Sequence, residues 1–342
     1  MTQYSAFDAY LLQGNQLLPQ EKEKLKIVSA EFGQPSYVDA ETTGVQSKLE
    51  YCLLNRNGGS IHSPIFYVPG LSASYRGAES LVKLLAIKTQ TPIVVISKPN
   101  SGLSGNLPSQ LRSYSDFHVY SELIFDLIKK VMLSWAEQGR ILQSNKVHLI
   151  GSSLAGPIIT QLAHSHPYII QSLTLIHPVS EKNEYSITVG SRYVPQMLDQ
   201  LILSGQRDPL VAIVNAIIKK DALANNTTAQ RLAWRLWEMH TATNGTLPEN
   251  LAGNPFPALC IAGEKDKLVP PAQVKVLESM HPKNVDFKML PGMCHYSPYW
   301  SIFEYSQEII RFLNENRTKR YTTCSFISAI VGKLKKVLNI HI

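Results

Sequence analysis

Long hydrophobic runs are absent from this 342-residue sequence: no stretch of about 18 uncharged apolar residues occurs, which a membrane-spanning helix would need. The first residues, MTQYSAFDAYLLQGNQ, also lack the basic and apolar segments of a secretory signal peptide. These absences predict a cytoplasmic protein without a membrane span. The hydrophobic residues, 44% of the chain, are then available for a globular core.

Cysteine is scarce and widely spaced. The four cysteines, Cys52, Cys260, Cys294 and Cys324, show no C-x-x-C spacing. Close pairs of cysteines are typical of structural zinc sites, and many cysteines in a short secreted chain are typical of a disulfide framework. The sequence therefore predicts reduced thiols, with no metal site and no disulfide framework.

Negative charge is missing from the C-terminal segment. The net charge is +7, and the segment from residue 317 onward has no acidic residue but six basic ones: Arg317, Lys319, Arg320, Lys333, Lys335 and Lys336. The rest of the chain carries only +1, so nucleic-acid binding is not expected. Residues 326–342 form a basic amphipathic helical pattern. This helix could lie on an anionic membrane surface, dock on the protein or another copy, or bind a partner.

Short apolar runs alternate with helical patterns over most of the chain, which predicts a doubly wound, mostly parallel α/β sheet with helices on both faces. Continuous apolar runs suit strands that are buried on both faces. Strand-like runs occur at 48–55, 63–70, 91–99, 145–151, 172–178, 256–264 and 285–292. Helical patterns occur at 76–90, 114–138, 154–165, 271–280 and 300–316.

The alternation breaks once, over residues 181–252, where only amphipathic helical patterns occur. An insertion between two parallel strands lies over the carboxyl ends of the strands, where such sheets bind ligands. We therefore predict that 181–252 is a helical cap on an α/β core formed by 45–180 and 253–316. An N-terminal extension, 1–44, and a basic tail, 317–342, complete the predicted organisation.

Two adjacent serines lie in LIGSSLAGPI, residues 149–158, where a strand pattern changes to a helical pattern. A nucleophile elbow needs small residues two positions before and after its serine, because strand and helix come close together. Ser153 meets this condition with Gly151 and Ala155, whereas Ser152 has larger residues at both positions. Ser153 is therefore the candidate nucleophile.

A serine hydroxyl needs a general base that is oriented by a third group. On a fold with a nucleophile elbow, the acid follows the serine in the chain and the histidine follows the acid. Asp266 lies just after the strand pattern at 256–264, and His295 lies just after the pattern at 285–292. Both the order and the loop positions predict that these residues are the partners of the serine.

Other polar residues are weaker candidates. His177 directly follows a predicted strand and could line a substrate pocket, but no acidic loop is paired with it in the sequence. His164 and His166 lie at the end of the helix after the elbow, where a structural role is expected. Asp208 and Asp221 lie in the predicted cap helices and are expected to be solvated.

With these segments in order, residues 45–316 resemble the α/β-hydrolase superfamily. The segment FYVPGLSAS resembles the loop after the third strand of that family, and SKPNSGLSG resembles the turn after the fourth strand. The resemblance implies an oxyanion hole formed by the backbone N–H groups of Leu71 and Leu154. Pro69 stands where the family usually has histidine, and Ser97 stands where it usually has aspartate.

The resemblance implies a serine hydrolase that cleaves an ester or thioester through an acyl-enzyme, without a metal or organic cofactor. Ser153 would attack the carbonyl, His295 would transfer the proton, and Asp266 would orient the imidazole. The apolar cap favours an acyl or lipid-like substrate, with Trp234 and Trp237 as expected pocket residues. Two alternatives stay open: an acyltransferase that uses the same triad, and a non-catalytic binding protein on the same fold.

Overall fold

The computed structural model describes residues 5–13, 17–56, 63–113, 116–140, 144–179, 221, 228–243, 247–280, 282–299 and 301–316. Several predictions from the sequence concern residues outside these ranges. They are the basic tail 317–342 with its amphipathic helix and Cys324, the greater part of the predicted cap, and Asp208 within that cap.

The described strands form one mixed sheet. In chain order they are β1 (Ser36–Thr42), β2 (Val45–Leu54), β3 (Ile65–Val68), β4 (Ile93–Ile96), β5 (Val147–Ser152), β6 (Ile170–Ile176), β7 (Ala258–Gly263) and β8 (Val285–Leu290). Their order across the sheet is β1-β2-β4-β3-β5-β6-β7-β8. The β1–β2 and β2–β4 pairs are antiparallel, and all other neighbours are parallel.

Helices cover both faces of this sheet. In chain order they are α1 (Ala6–Gln13), α2 (Pro19–Phe32), α3 (Glu79–Thr89), α4 (His118–Glu137), α5 (Ala155–Ser165), α6 (Ala229–Thr243), α7 (Leu247–Ala252), α8 (Pro271–Ser279) and α9 (Ile302–Asn316). On one face of the sheet, a hydrophobic cluster contains residues of the five helices α4, α5, α6, α7 and α8. On the opposite face, a second cluster contains residues of α1, α2, α3 and α9. This arrangement confirms the predicted doubly wound α/β fold. None of the helices in the described ranges is both long and apolar enough to cross a bilayer.

The seven predicted strands all form, and the central ones explain why the sequence signal was strong. Every residue of β3, β4, β5, β6 and β7 is buried, so these strands are covered on both faces, which favours largely apolar runs. The structure adds β1, which the sequence analysis did not predict. Its only buried residue is Ala40, because β1 is the edge strand and one long side of it has no neighbour.

The N-terminal residues, which the sequence analysis treated as an extension, contribute to the sheet and to the core. Phe7 from α1 and Leu25 from α2 are fully buried in the hydrophobic cluster that also contains α3 and α9. The buried ammonium of Lys83 lies 2.9 Å from the carboxylate of Asp8, and this ion pair joins α1 to α3. The described part of 1–44 therefore packs as an integral layer of the domain.

The elements that the structure describes between β6 and β7 are the helices α6 and α7, and the predicted cap as a whole stays a prediction. Helix α7 packs against α5, which begins directly after the candidate nucleophile. Helix α6 packs through Trp234 and Trp237 on Phe117 and Tyr120, which lie at the start of α4. These two helices thus pack on the core through α5 and the start of α4.

Strand β5 and helix α5 approach each other closely at Gly151. A Cβ atom at this position would lie 2.7 Å from Cδ1 of Ile159 and 3.0 Å from the carbonyl oxygen of Ala155. Interiors are packed as densely as organic crystals, so such contacts require the strand or the helix to shift. Gly151 therefore allows the tight connection that the elbow pattern predicted.

We expect Gly151→Ala to lower the free energy of unfolding by about 1–3 kcal/mol, because the added methyl group overpacks the β5–α5 contact. Gly253→Ala is the matched control, since nothing lies within 4 Å of a Cβ atom built at Gly253. Its effect should stay within about 0.5 kcal/mol. Urea unfolding of both variants measures the difference, and equal stability of the two would contradict the packing constraint.

Candidate active site

The turn between β5 and α5 places Ser153 in a strained conformation. Ser153 has φ of 53°, in the left-handed region that non-glycine residues rarely adopt. Its backbone N–H donates to the carbonyl of Ile176 over 2.7 Å, and its carbonyl accepts from the N–H of Gly156 over 2.9 Å. These bonds hold the backbone while the side chain of Ser153 stays partly accessible, whereas the neighbouring Ser152 is buried.

The side chains of Ser153, His295 and Asp266 form a continuous hydrogen-bonded chain. The Nε2 atom of His295 lies 2.9 Å from Oγ of Ser153, and its Nδ1 atom lies 2.8 Å from Oδ2 of Asp266. The three residues follow the carboxyl ends of β5, β8 and β7, and the parallel arrangement of these strands brings them to one edge of the sheet. The structure thus brings together the three residues that the sequence singled out, in the predicted order.

Asp266 is buried, and its carboxylate is held from several sides. Oδ1 accepts hydrogen bonds from the backbone N–H groups of Leu268 and Val269, each over 2.9 Å. Burial raises the pKa of Asp266, but His295 and His177 beside it outweigh burial and hold the pKa well below its usual range. Asp266 is therefore an anion at neutral pH, as an acceptor of imidazole N–H groups must be.

His177 shares this carboxylate, which the sequence analysis did not predict. Its Nδ1 atom lies 2.6 Å from Oδ2 of Asp266, and its Nε2 atom lies 2.6 Å from the hydroxyl of Tyr305. The pKa of His177 is lowered, mainly by burial. Asp266 raises this pKa and His295 lowers it further, but burial has the larger effect. A neutral His177 donates from Nδ1 to the anionic Asp266 and accepts at Nε2 from Tyr305. The expectation that no acid is paired with His177 is corrected, because the pairing depends on loops that are distant in the chain.

A glycine in β7 makes room for this second imidazole. A Cβ atom at Gly263 would lie 2.8 Å from Cε1 of His177 and 2.5 Å from the carbonyl oxygen of Met293. His177 itself has φ of 49°. Left-handed residues that are not glycine tend to occur where the surrounding structure constrains a functional site. Two such residues, Ser153 and His177, therefore lie side by side at the ends of β5 and β6.

The two predicted oxyanion donors lie next to the Ser153 turn. Leu71 lines the same cavity as Ser153, and Leu154 directly precedes α5. A Cβ atom at Gly70 would lie 3.0 Å from Cβ of Ser153, so the loop after β3 touches the elbow. Within the described ranges, nothing accepts a hydrogen bond from the backbone N–H of Leu71 or Leu154. Both groups are available to a ligand.

The cavity above Ser153 has walls of mixed polarity. Its lining residues are Gly70, Leu71, Ser152, Ser153, Ile176, His177, His295, Tyr296, Pro298 and Tyr299. The structure thus places His177 in the cavity wall, where the sequence analysis expected it. Among the residues that the structure describes, no acidic or basic side chain other than the two histidines lines this cavity.

Trp234 and Trp237 are not among the described lining residues of this cavity, and their expected place in a pocket wall stays a prediction. Trp234 is fully buried, and Trp237 stacks on Tyr120 with a centroid separation of 5.7 Å. Phe117 meets Trp237 edge to face at 5.6 Å. The apolar face of an amphipathic helix is first needed for packing on the core, and both indoles serve that purpose here.

Other polar candidates have structural partners. Asp221, which we expected to be solvated, is buried, and its carboxylate accepts hydrogen bonds from the backbone N–H and the hydroxyl of Ser74. Burial raises the pKa of Asp221. His166 lies 2.7 Å from Glu122, and His164 is exposed. Neither histidine reaches the cavity.

The turn after β4 contains a buried polar group that the sequence analysis overlooked. Glu50 in β2 accepts hydrogen bonds from the hydroxyl of Ser97 and the N–H of Leu103, each over 2.9 Å. It also forms an ion pair with Arg76 at 3.0 Å. A carboxylate from β2 therefore occupies the turn in which Ser97 replaces the usual aspartate. The sequence signal was a single glutamate inside an apolar strand pattern.

The side chains of this site include residue types that can bind metals. In the described part of the chain, His177, Asp266 and His295 are the group whose ligand atoms lie close enough together to hold an ion. Both Nδ1 atoms already share the same carboxylate oxygen of Asp266. Hydrogen bonding accounts for this cluster, so its geometry gives no separate argument for a metal.

Solved hydrolases share the architecture of this chain. An esterase from Thermogutta terrifontis superposes with a TM-score of 0.64 and 15% identity, covering 83% of this chain and 100% of that chain. A membrane phospholipase A, described as a bacterial virulence factor, superposes with a TM-score of 0.62 and 17% identity, covering 91% of this chain and 96% of that chain. The enol-lactonase from Burkholderia xenovorans LB400 superposes with a TM-score of 0.60 and 16% identity, covering 82% of this chain and 100% of that chain. At these identities the likeness shows the fold.

No curated protein sequence matches the chain. A family model described as the alpha/beta hydrolase fold matches residues 63–301. This range extends from the start of β3 to the start of α9 and contains Ser153, Asp266 and His295. The family match, the doubly wound sheet and the superposed hydrolases agree, and the chain belongs to the α/β-hydrolase fold family.

Proposed function

We propose that this protein is a serine hydrolase that cleaves an ester or thioester through an acyl-enzyme. One observation carries the proposal: His295 joins the hydroxyl of Ser153 to the buried carboxylate of Asp266 through hydrogen bonds of 2.9 and 2.8 Å. A positioned base and an orienting acid are what a serine hydroxyl needs to become a nucleophile near neutral pH.

The first half of the reaction transfers the acyl group to the enzyme. As Oγ of Ser153 bonds to the substrate carbonyl carbon, Nε2 of His295 accepts the hydroxyl proton. The anionic Asp266 stabilises the imidazolium cation that forms. The carbonyl oxygen becomes an oxyanion that accepts hydrogen bonds from the N–H groups of Leu71 and Leu154. Collapse of this intermediate breaks the ester or thioester bond, and His295 returns its proton to the leaving group.

The second half releases the acid. His295 removes a proton from water as the water oxygen bonds to the acyl carbon, and a second tetrahedral oxyanion forms in the same hole. Its collapse breaks the bond to Oγ of Ser153, which takes the proton back from His295. The neutral His177 supports this cycle, because its hydrogen bond to Asp266 adds no positive charge beside His295.

The residues that line the cavity favour a substrate with an uncharged acyl group. Leu71, Ile176 and Pro298 give its walls apolar surface, together with the rings of Tyr296 and Tyr299. The described lining has no lysine or arginine to pair with an anionic metabolite, which favours an uncharged group. Three of the superposed structures are named as an esterase, a phospholipase A and an enol-lactonase. These names fit a substrate with an ester bond.

Labelling with a fluorophosphonate, followed by intact-mass measurement, tests the nucleophile. We expect one adduct on the wild type and none on Ser153→Ala, whose kcat for p-nitrophenyl esters should fall by about 10⁴-fold or more. Ser63→Ala is the matched control, because it removes a buried serine hydroxyl that lies outside the cavity lining. It should keep both the adduct and the activity. An adduct that persists on Ser153→Ala would refute the assignment, and a folded wild type that is never labelled would favour a binding protein.

The acid is tested by Asp266→Asn. We expect kcat to fall by about 10³- to 10⁴-fold, because a neutral amide no longer stabilises the imidazolium form of His295. Asp286→Asn makes the same change on the exposed face of β8 and should leave kcat unchanged. Steady-state hydrolysis of a p-nitrophenyl ester measures both variants. A folded Asp266→Asn protein with nearly normal kcat would exclude the proposed role of Asp266.

A further inference from the structure

A buried lysine lies beside the cavity and has no part in the reaction steps above. Lys98 follows β4 and is fully buried. Its Nζ atom donates to the carbonyl oxygen of Gly70 over 2.8 Å and to the hydroxyl oxygen of Ser101 over 3.2 Å. Burying an ammonium group costs several kcal/mol unless it is paired, so a lysine in this place calls for an explanation.

The carbonyl that Lys98 binds belongs to the peptide unit that contains the N–H of Leu71. A trans peptide is planar, and its C=O and N–H groups point in opposite directions. No cis peptide bond occurs in the described residues. The carbonyl oxygen of Gly70 accepts hydrogen bonds from Nζ of Lys98 and, over 3.4 Å, from the backbone N–H of Ala73. Fixing this oxygen fixes the direction of the N–H of Leu71, which has no acceptor within the described ranges.

A hydrogen bond to the carbonyl also polarises the peptide. Chains of hydrogen bonds strengthen one another, and the effect is larger in a low-dielectric interior than in water. A peptide whose oxygen accepts from Lys98 is therefore a stronger donor through the N–H of Leu71. This donor is one of the two assigned to the oxyanion under the proposed function.

Lys98 is itself anchored by a buried polar network from α6. The hydroxyl oxygen of Ser101 accepts from Arg235 over 2.9 Å, and Arg235 also donates to the carbonyl of Asn100 over 2.6 Å. Arg235 is paired with the buried carboxylate of Glu238 at 2.6 Å. The turn that carries Lys98 is therefore tied to a helix of the inserted segment.

We propose that Lys98 is a positioning residue, which orients and polarises the 70–71 peptide so that the N–H of Leu71 stabilises the oxyanion. The inference rests on the proposed function, since it needs a reaction that forms an oxyanion at Ser153. Lys98 does not touch the reacting atoms. Its contribution appears only when charge develops on the substrate oxygen.

Lys98→Met tests this role, because it removes the donor and keeps an unbranched apolar chain. We expect kcat for a p-nitrophenyl ester to fall by about 10- to 100-fold, less than the loss of a whole oxyanion donor. KM should stay nearly constant, and phosphonylation by the fluorophosphonate should slow in parallel with kcat. Lys130→Met is the matched control, because Lys130 donates to the carbonyl of Asp39 over 2.6 Å, on β1 and away from the cavity. It should leave kcat unchanged.

The pH dependence supplies a readout that a merely structural role would not change. The pKa of Lys98 is lowered to about 7. Burial is the largest cause and Arg235 also lowers the pKa, whereas Glu238 and Asp221 raise it. Below that pKa the side chain is an ammonium and polarises the peptide more strongly than the neutral amine does above it. The ratio of wild-type kcat to Lys98→Met kcat should therefore be larger at about pH 6 than at about pH 8.5. The ratio cancels pH effects that are common to both proteins.

The outcomes separate the two proposals. If the wild type is not labelled at Ser153, the proposed function fails. If the wild type is labelled and a folded Lys98→Met protein keeps its kcat within about twofold, only the role of Lys98 is refuted. A loss that appears wholly in KM, or a ratio that does not vary with pH, also refutes it. Thermal unfolding checks the fold, and Lys98→Gln, which keeps an uncharged donor, replaces the methionine variant if that protein does not fold.

Discussion

The site depends on the tight connection between β5 and α5. The near contact of the strand and helix backbones leaves no room for a side chain at Gly151, and it holds Ser153 in the left-handed region. The loop after β3 packs against the same turn through Gly70. One steric constraint therefore fixes the backbone of Ser153, and the loop that carries the predicted oxyanion donor Leu71 lies beside it.

A second constraint is the buried charge of Asp266. An isolated carboxylate in the interior would be strongly destabilising, and Asp266 is stable there because four N–H groups converge on it. Two come from the backbone of Leu268 and Val269, and two come from the imidazoles of His177 and His295. The same hydrogen bonds that solvate the charge also set the orientation of His295 toward Ser153.

Departures from the family pattern are accompanied by polar groups elsewhere. Ser97 stands where the family usually has aspartate, and the carboxylate of Glu50 reaches that turn from β2. The Gly70 carbonyl accepts from Lys98 in the loop where Pro69 replaces the usual histidine. Arg235 and Glu238 extend this buried network into α6. Buried hydrogen bonds of this kind restrain the loops that they join.

The sequence by itself determined the seven strand patterns, the elbow at Ser153 and the order of Asp266 and His295, because each depends on residues that are close in the chain. Continuous apolar runs and small residues at fixed spacing are local signals. The edge strand β1 lacked such a signal, since only Ala40 in it is buried. Only the tertiary structure decided that His177 shares the carboxylate of Asp266, that Trp234 packs in the core, and that Lys98 binds Gly70. The pairings of His177 and Lys98 join loops from different strands, and their geometry is fixed only when the sheet brings the carboxyl ends of those strands together. The packing of Trp234 joins α6 to α4, which are likewise distant in the chain.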